Sequence, residues 1–388
     1  MKILLLAPHP FFCERGTPIA VDLLLQNYSR KNAFVDVLTY HEGEDKTYKN
    51  VSLHRIKSTG VKNIRPGFSA KKIWCDFFFF AAASKMIKEN KYDAIHAVEE
   101  SVFMAQFFKS KKGIPYIYDM DSSMPLQIAD KSIFLRPFLP LMKKMETSAL
   151  KNALMVLPVC DELADIAKQA GARNIIILRD VSLLYKSSSI TKANLRLSFN
   201  IKGPLFLYLG NLEPYQGIDL LLEAAYLVKN KISDAKVVIA GGSESDIKKY
   251  SKKASSLKLD DFVIFVGHKP LEQMSSLFEE ADVLLSPRIL GGNTPMKIYS
   301  YLESGKAILA TNLSTHTQAM DDSSALLVPP DPQSFAEGMI KLAITPELRS
   351  KLGTTARKTA IEKYSLATYQ KTFDQFYDTL TRYLQINK

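Results

Sequence analysis

The chain has 388 residues, 46% of them hydrophobic, with 51 Lys+Arg against 40 Asp+Glu and a formal net charge of +11. That length exceeds one comfortable hydrophobic core and fits two α/β domains, while the composition excludes long disorder. The three cysteines, Cys13, Cys75 and Cys160, are odd in number and lack CxxC spacing, which argues against a disulfide framework or a zinc site.

The N-terminal run MKILLLAPHPFF is too short for a signal peptide, and His9, Glu14 and Arg15 follow at once; it reads as a first buried strand. The chain then alternates apolar runs with amphipathic stretches. Ala20 to Lys31 is helix-like, VDVLTY a strand, Ala70 to Glu89 of helical length, DAIHAV a strand and Ser101 to Lys109 a helix. IPYIYDM, a helix over Pro140 to Asn152 and ALMVLPV complete the first half. Polar residues Ser187 to Lys202 read as an interdomain linker. The rhythm restarts with PLFLYLGNL, a helix over Gly217 to Asn230, AKVVIAGG, a helix over Glu244 to Leu257 and DFVIFVG. Leu271 to Ala281, ADVLLSP, Pro295 to Ser304, KAILAT and SALLVPP follow, and from Asp331 onward the chain is helical. Strands alternating with helices predict doubly wound parallel sheets, two of them here, facing across a cleft. Ligands of such sheets bind at strand carboxyl ends and helix N-termini. No apolar run reaches the ~20 residues of a membrane span.

Two loops carry the chemistry. In LYLGNLEPYQGIDLLLEA a strand ends at Gly210 and Gly217 opens a helix, so the backbone can approach a phosphate. In SPRILGGNTPMKIYSYLES, Gly291 and Gly292 precede Asn293, Thr294 and Pro295, a helix start with Pro at its first turn. The amides from Asn293 through Met296 to Lys297, with the charges of Arg288 and Lys297, make the donor set that a pyrophosphate leaving group requires. Tyr299, Tyr301 and Leu302 read as helix core.

Four pieces in order, GNLEPYQGIDLLLEA, VVIAGG, FVGHKPLEQMSSLFEEADVLLSPR and NTPMKIYSYLESGKAILAT, resemble the nucleotide-sugar domain of family 4 glycosyltransferases. Lesser matches are YDAIHAVEE, YIYDMDSS and METSALKNALMVLPVCDEL. The resemblance implies a GT-B fold of two Rossmann-like domains, an acceptor domain over residues 1–186 and a nucleotide-sugar domain over 187–365. The helix over 366–388 is then expected to cross back to the first domain. It implies transfer from a nucleoside diphosphate sugar with retention, without a metal or cofactor. Gly16 and Thr17 match the family's glycine loop beside the diphosphate, with Arg15 assisting, and His268 and Lys269 fall in a donor-side segment. The chain departs from the pattern at four positions. Asn211 and Gln216 stand where the family has Arg and Lys on the donor diphosphate, and Gly292 and Ser300 stand for its two glutamates. Ser300 keeps a hydroxyl for the ribose, Glu303 lies one turn on, and Arg288 and Lys297 are the candidates to restore the lost charge.

Asp119 and Asp121 form an Asp-x-Asp, a metal-binding pattern in the other large glycosyltransferase fold, which conflicts with a complete second α/β domain. By resemblance Asp121 takes the place of a catalytic-centre histidine, where a carboxylate serves an oxocarbenium-like state or the acceptor's proton. His96 matches a histidine often present in the family; His9 reads equally as structural or functional. Trp74 and Phe77 to Phe80 between lysines, and FLRPFLPLMKK over Phe134 to Lys144, read either as core helices or as surfaces for an anionic membrane. The basic excess, concentrated in residues 1–185 with 26 Lys+Arg against 19 Asp+Glu, leaves open a membrane surface, a phosphate-bearing ligand or plain solubility. Nucleic acid is not expected, since no zinc-finger, RRM or helix-turn-helix pattern is present. The expected partners are a nucleotide-sugar donor and a glycan or lipid-linked acceptor, in cell-envelope synthesis at the cytoplasmic face of a membrane. Two rivals are a non-catalytic nucleotide-sugar-binding subunit and a nucleotide-sugar 2-epimerase. A dehydrogenase is disfavoured because no GxGxxG follows the first strand.

Overall fold

A computed structural model describes residues 1–14, 16–62, 64, 69–126, 137–184 and 192–386. The chain divides into two compact units, one of Met1–Arg179 with Tyr369–Lys388 and one of Asp180–Thr368.

In the N-terminal unit, strands β1 (Lys2–Ala7), β2 (Phe34–Thr39), β3 (Val51–Arg55), β4 (Ala94–Val98), β5 (Tyr116–Met120) and β6 (Met155–Pro158) form one parallel sheet in the order β3-β2-β1-β4-β5-β6. β1 and β4 are almost wholly buried, which is why they read as unbroken apolar runs: parallel strands are covered on both faces. β3 escaped the sequence reading because it is an edge strand with alternating burial and a weaker apolar signal.

Right-handed crossovers place the helices Ala70–Glu89, Ser101–Lys112 and Leu139–Asn152 on one face and Gly16–Arg30 on the other. On the first face, Phe80 stacks on Phe108, and the Gln106 amide donates to Ser148 Oγ at 2.8 Å. On the second face lies the C-terminal helix Leu366–Ile386. Tyr28 meets Phe373 edge-on at 5.1 Å, and Arg30 pairs with Asp374 at 2.7 Å.

In the C-terminal unit, β7 (Leu205–Leu209), β8 (Lys236–Ala240), β9 (Val263–Gly267), β10 (Val283–Ser286), β11 (Ala307–Thr311) and β12 (Leu326–Val328) form a second parallel sheet, in the order β12-β11-β10-β7-β8-β9. The direction of winding reverses between β7 and β10, so the loops that follow these two strands lie side by side. The polar stretch read as a linker is different in its described part. Residues 192–202 are held into this unit, with Ala193 N donating to Ser276 Oγ at 2.7 Å and Arg196 paired with Asp282 at 2.5 Å. Residues 187–191 lie outside the described residues.

Phe373 is completely buried between Tyr28 and Phe376. Phe373→Ala is expected to remove about 3–5 kcal/mol from the N-terminal unit, read by urea unfolding. A change below about 1 kcal/mol would mean that the ion pairs, and not the aromatic seam, hold the terminal helix.

Candidate functional site

The switch point of the C-terminal sheet is opened by a tyrosine. β7 and β10 pair only through Phe206 and Leu207, and beyond that the Tyr301 hydroxyl lies between them. It accepts from Leu209 N at 2.9 Å and lies 3.4 Å from Leu285 O. Tyr301 comes from the helix Met296–Ser304, whose first turn faces the opened crevice.

Glycines let the two loops approach each other. Gly217 has φ +74°, and a Cβ there would meet the Pro287 carbonyl oxygen at 1.9 Å. Gly291 has φ +118°, and a Cβ there would fall 2.1 Å from Arg288 Nη2. Arg288 is thus folded back under its own loop. Its Nε donates to Leu290 O at 2.6 Å, its Nη2 to Asn293 Oδ1 at 3.2 Å, and its guanidinium lies 5.1 Å over the Tyr215 ring.

Lys297 reaches into the same space. Its Nζ lies 4.0 Å over the Tyr208 ring and donates to Gln216 Oε1 at 3.3 Å. Among the described residues no carboxylate pairs with it. Desolvation, and then the Arg288 charge, hold the Lys297 ammonium well below the usual lysine range. The Thr294 hydroxyl is buried without a hydrogen-bond partner.

Behind the loop, the segment after β11 acts as a brace that the sequence did not advertise. Thr315 Oγ1 donates to Asn293 O at 2.7 Å and Gln318 Nε2 to Gly292 O at 2.9 Å. Buried His316 bridges Ser286 Oγ at 2.8 Å and Thr311 O at 2.7 Å. Desolvation pushes its pKa down to about 3, so the ring is neutral; with Nδ1–H assigned to Thr311 O, Nε2 accepts from Ser286.

The N-terminal unit carries polar groups at the carboxyl ends of β4 and β5. Asp121 follows β5 directly and is partly buried. Its loop is fixed by Glu146, which accepts from Ser123 Oγ at 2.8 Å and Met124 N at 3.0 Å. His96 is fully buried, with Nδ1 2.8 Å from the Tyr28 hydroxyl and Nε2 3.2 Å from Asp119 Oδ2. Glu99 sits at φ +50°, uncommon for a non-glycine residue, and its carboxylate accepts from Ser122 Oγ at 3.5 Å. Desolvation, then Glu100, raise its pKa to about 7. Lys72, itself buried, pairs with Glu100. Buried His9 has its Nδ1 3.0 Å from Pro10 O, and desolvation lowers its pKa to about 4.

The structure brings together Gly210, Asn211, Gln216 and Gly217 after β7 with Arg288, Gly292, Asn293, Thr294, Pro295, Met296 and Lys297 after β10. His268 and Lys269 follow β9, His268 exposed and Lys269 partly buried. Gly16 and Thr17 open the helix Gly16–Arg30, and Arg15 lies outside the described residues. Two expectations are corrected. Ser300 is fully buried and its Oγ accepts from Leu183 N at 2.9 Å, so it braces the backbone and is not presented to a ribose. Glu303, on the same helix, is only partly buried. His96, expected to face the cleft, is fully buried with both ring nitrogens engaged inside the unit by Tyr28 and Asp119.

Two parallel sheets of this order, each flanked by helices, are those of the GT-B fold class. Solved structures show the same fold. A sucrose-phosphate synthase from Thermosynechococcus elongatus aligns with TM-score 0.83 at 17% identity over 98% of this chain and 99% of its own. Anabaena HepE, solved with UDP and glucose, gives 0.73 at 14% over 98% and 100%. Within that class the chain belongs to the group 1, family 4 glycosyltransferases: the model described as "Glycosyltransferase Family 4" matches residues 15–178, and that for "Glycosyl transferases group 1" matches 191–359. Among relatives, the alpha-D-kanosaminyltransferase of Streptomyces kanamyceticus is 23% identical over 269 residues, 66% of this chain and 68% of its own. The phosphatidyl-myo-inositol mannosyltransferase of Mycobacterium tuberculosis is 24% identical over 186 residues, 46% of this chain and about half (48%) of its own.

The two glycines predict different phenotypes. Gly217→Ala drives a Cβ into backbone and is expected to destabilise the C-terminal unit, seen as a lower melting temperature. Gly291→Ala strains a backbone at φ +118° and displaces the Arg288 guanidinium rather than backbone, so it is expected to cost less stability than Gly217→Ala while nucleotide affinity falls roughly 10-fold or more. Equal loss of stability in both variants would refute this division.

Proposed function

We propose that this protein transfers a sugar from a nucleoside diphosphate sugar to an acceptor hydroxyl, with the donor diphosphate held at the β7–β10 switch point. The observation that carries the reading is where the two cations reach. The resemblance leaves Asn211 and Gln216 where relatives have charged residues. Lys297 Nζ stands against the Gln216 side chain, and Arg288 lies over Tyr215 in the same loop. The missing charge is thus supplied to the same place from the opposite loop. A decayed site would have no reason to keep a desolvated lysine and a folded-back arginine side by side.

In the reaction the acceptor oxygen bonds to the anomeric carbon, and the bond to the diphosphate oxygen breaks with its electron pair leaving on the diphosphate. Arg288, Lys297 and the first-turn amides of Met296–Ser304 stabilise that charge, so the reaction proceeds without a metal. Asp121, at the carboxyl end of β5, accepts the proton of the acceptor hydroxyl or stabilises the oxocarbenium-like sugar. Retention of configuration follows from the family resemblance. HepE's complex with UDP and glucose and the mannosyltransferase's lipid substrate support a nucleotide-sugar donor and a lipid-linked or glycan acceptor. The proposed setting is envelope glycan synthesis at the cytoplasmic face of a membrane, with the protein attached peripherally. No helix among the described residues is long and apolar enough to cross one.

A thermal-shift panel of UDP, GDP, ADP and CMP with their sugar conjugates, with and without EDTA, tests the donor. One nucleoside diphosphate is expected to raise the melting temperature regardless of EDTA, by the stabilisation that saturating ligand supplies, ~2.7 kcal/mol at 100 times Kd. Arg288→Ala is expected to weaken that ligand roughly 10- to 100-fold. Absence of a shift with every nucleotide would contradict the reading. Asp121→Asn is expected to keep donor binding while turnover falls at least ~100-fold; full turnover would remove Asp121 from the chemistry.

A further inference from the structure

The helix layer Ala70–Glu89, Ser101–Lys112 and Leu139–Asn152 has two unlike sides. Inward, Cys75, Phe79, Ala83 and Ile87 of the first helix pack into the core. Outward, the same helix shows Ile73, Trp74 at 53% exposure and Phe77 at 68%. The consecutive aromatics therefore split between the two sides, with Phe79 in the core and Trp74 and Phe77 exposed. The neighbouring helices extend the outer surface with Phe107, with Leu141 at 57%, and with Met145. Exposed apolar side chains scattered singly mean little, but a cluster on one layer marks a contact surface.

Charge selects the contact. On these three helices eight lysines are exposed, three of them (71, 143 and 144) in the first halves beside the apolar side chains and five (85, 88, 111, 112 and 151) in the second halves, against one exposed acid, Glu89, at the far end of its helix. The other two acids are turned inward, Asp76 to the Tyr40 hydroxyl at 2.5 Å and Glu146 to Ser123 at 2.8 Å. The whole chain carries 40 acids against 51 bases, so this layer is depleted of outward negative charge. A second copy docked face to face would set lysine against lysine. An anionic lipid surface complements both features, apolar side chains entering the headgroup boundary and lysines remaining at the phosphates.

The patch is also placed. Helices of a parallel sheet start at the carboxyl edge of the strands, and Ile73, Trp74, Phe77, Leu141 and Met145 all lie in the first half of their helices. They therefore lie toward the edge that carries Asp119 and Asp121.

We infer that this helix face docks on an anionic lipid bilayer and presents the carboxyl edge of the N-terminal sheet to an acceptor carried in that bilayer. The acceptor part of this statement rests on the glycosyl-transfer reading; the docking part does not.

Trp74 is the only tryptophan of the chain, so its fluorescence reports on the patch directly. The full-length protein is mixed with phosphatidylcholine vesicles with and without phosphatidylglycerol, at low and high salt. The expected result is a blue shift of Trp74 and co-flotation with the phosphatidylglycerol vesicles, reversed by salt. Lys143→Glu with Lys144→Glu, and separately Phe77→Glu, should each weaken partition roughly 10-fold or more. Nucleotide-induced thermal shifts on the same variants verify that they fold. No shift with phosphatidylglycerol at low salt overturns the proposal. So does an equal shift with neutral vesicles, or a shift that rises with protein concentration without lipid, which would identify a second copy as the occupant. Donor binding measured without vesicles is independent of the patch, so a failure of docking and a failure of the donor reading are told apart.

Discussion

Two basic side chains drawn to one place, Arg288 buried and Lys297 partly buried, are the constraint on which the C-terminal unit is organised. Placing the Lys297 ammonium on the Tyr208 ring beside the Arg288 guanidinium disfavours its own protonation, since burial and a like charge act in the same direction. Folding alone gains nothing from that arrangement. The surrounding structure has to enforce it, and much of the local architecture does so: a glycine that lets Arg288 fold under its loop, Gln216 as a polar rest for Lys297, and the Thr315 and Gln318 bonds that fix the loop carbonyls. An arriving anion relieves both penalties at once. Electrostatic preorganisation of this kind lets binding energy be directed at the charge that develops on a leaving group.

The N-terminal unit solves a different problem with the opposite sign. Its carboxyl edge carries Asp119, Asp121, Glu99 and Glu100, and buried Lys72 pairs with Glu100 and is acted on by Glu99. The Glu99 carboxyl is raised to about 7, which leaves it able to exchange a proton near neutrality. His96 stands between the Tyr28 hydroxyl and Asp119, while the same Tyr28 packs against the returning C-terminal helix. The terminal helix therefore bears on Asp119 through Tyr28 and His96, and its Phe376 also meets the His96 ring edge-on at 6.1 Å.

How much of this was legible depends on the range of the interaction. The buried strands and both glycine loops stood out because parallel sheets demand unbroken apolar runs and because glycine at a strand end has few other uses. Arg288 and Lys297 were visible as unexplained cations beside a helix start. What stayed hidden was set by contacts between residues distant in sequence. Ser300 looked available as a hydroxyl, yet Leu183, 117 residues away, occupies it. His96 looked like a cleft residue, yet Tyr28 and Asp119 engage both its nitrogens. His316 and Glu146 carried no local signal, because a brace is defined by what it holds. The aromatic run of Ala70–Glu89 was ambiguous by necessity: adjacent positions on a helix point to different sides, so it was both core and surface.

The central claim is that burial and Arg288 disfavour the Lys297 ammonium in the free protein and that a bound diphosphate favours it. Calorimetric titration of the nucleoside diphosphate in buffers of different ionisation enthalpy measures this directly. A lysine whose pKa is lowered in the free protein and restored by an anion takes up a proton on binding, so affinity should rise as pH falls through that range. The account predicts net proton uptake in the wild type and its loss in Lys297→Met. Tight nucleotide binding with the same proton count in both proteins would contradict it.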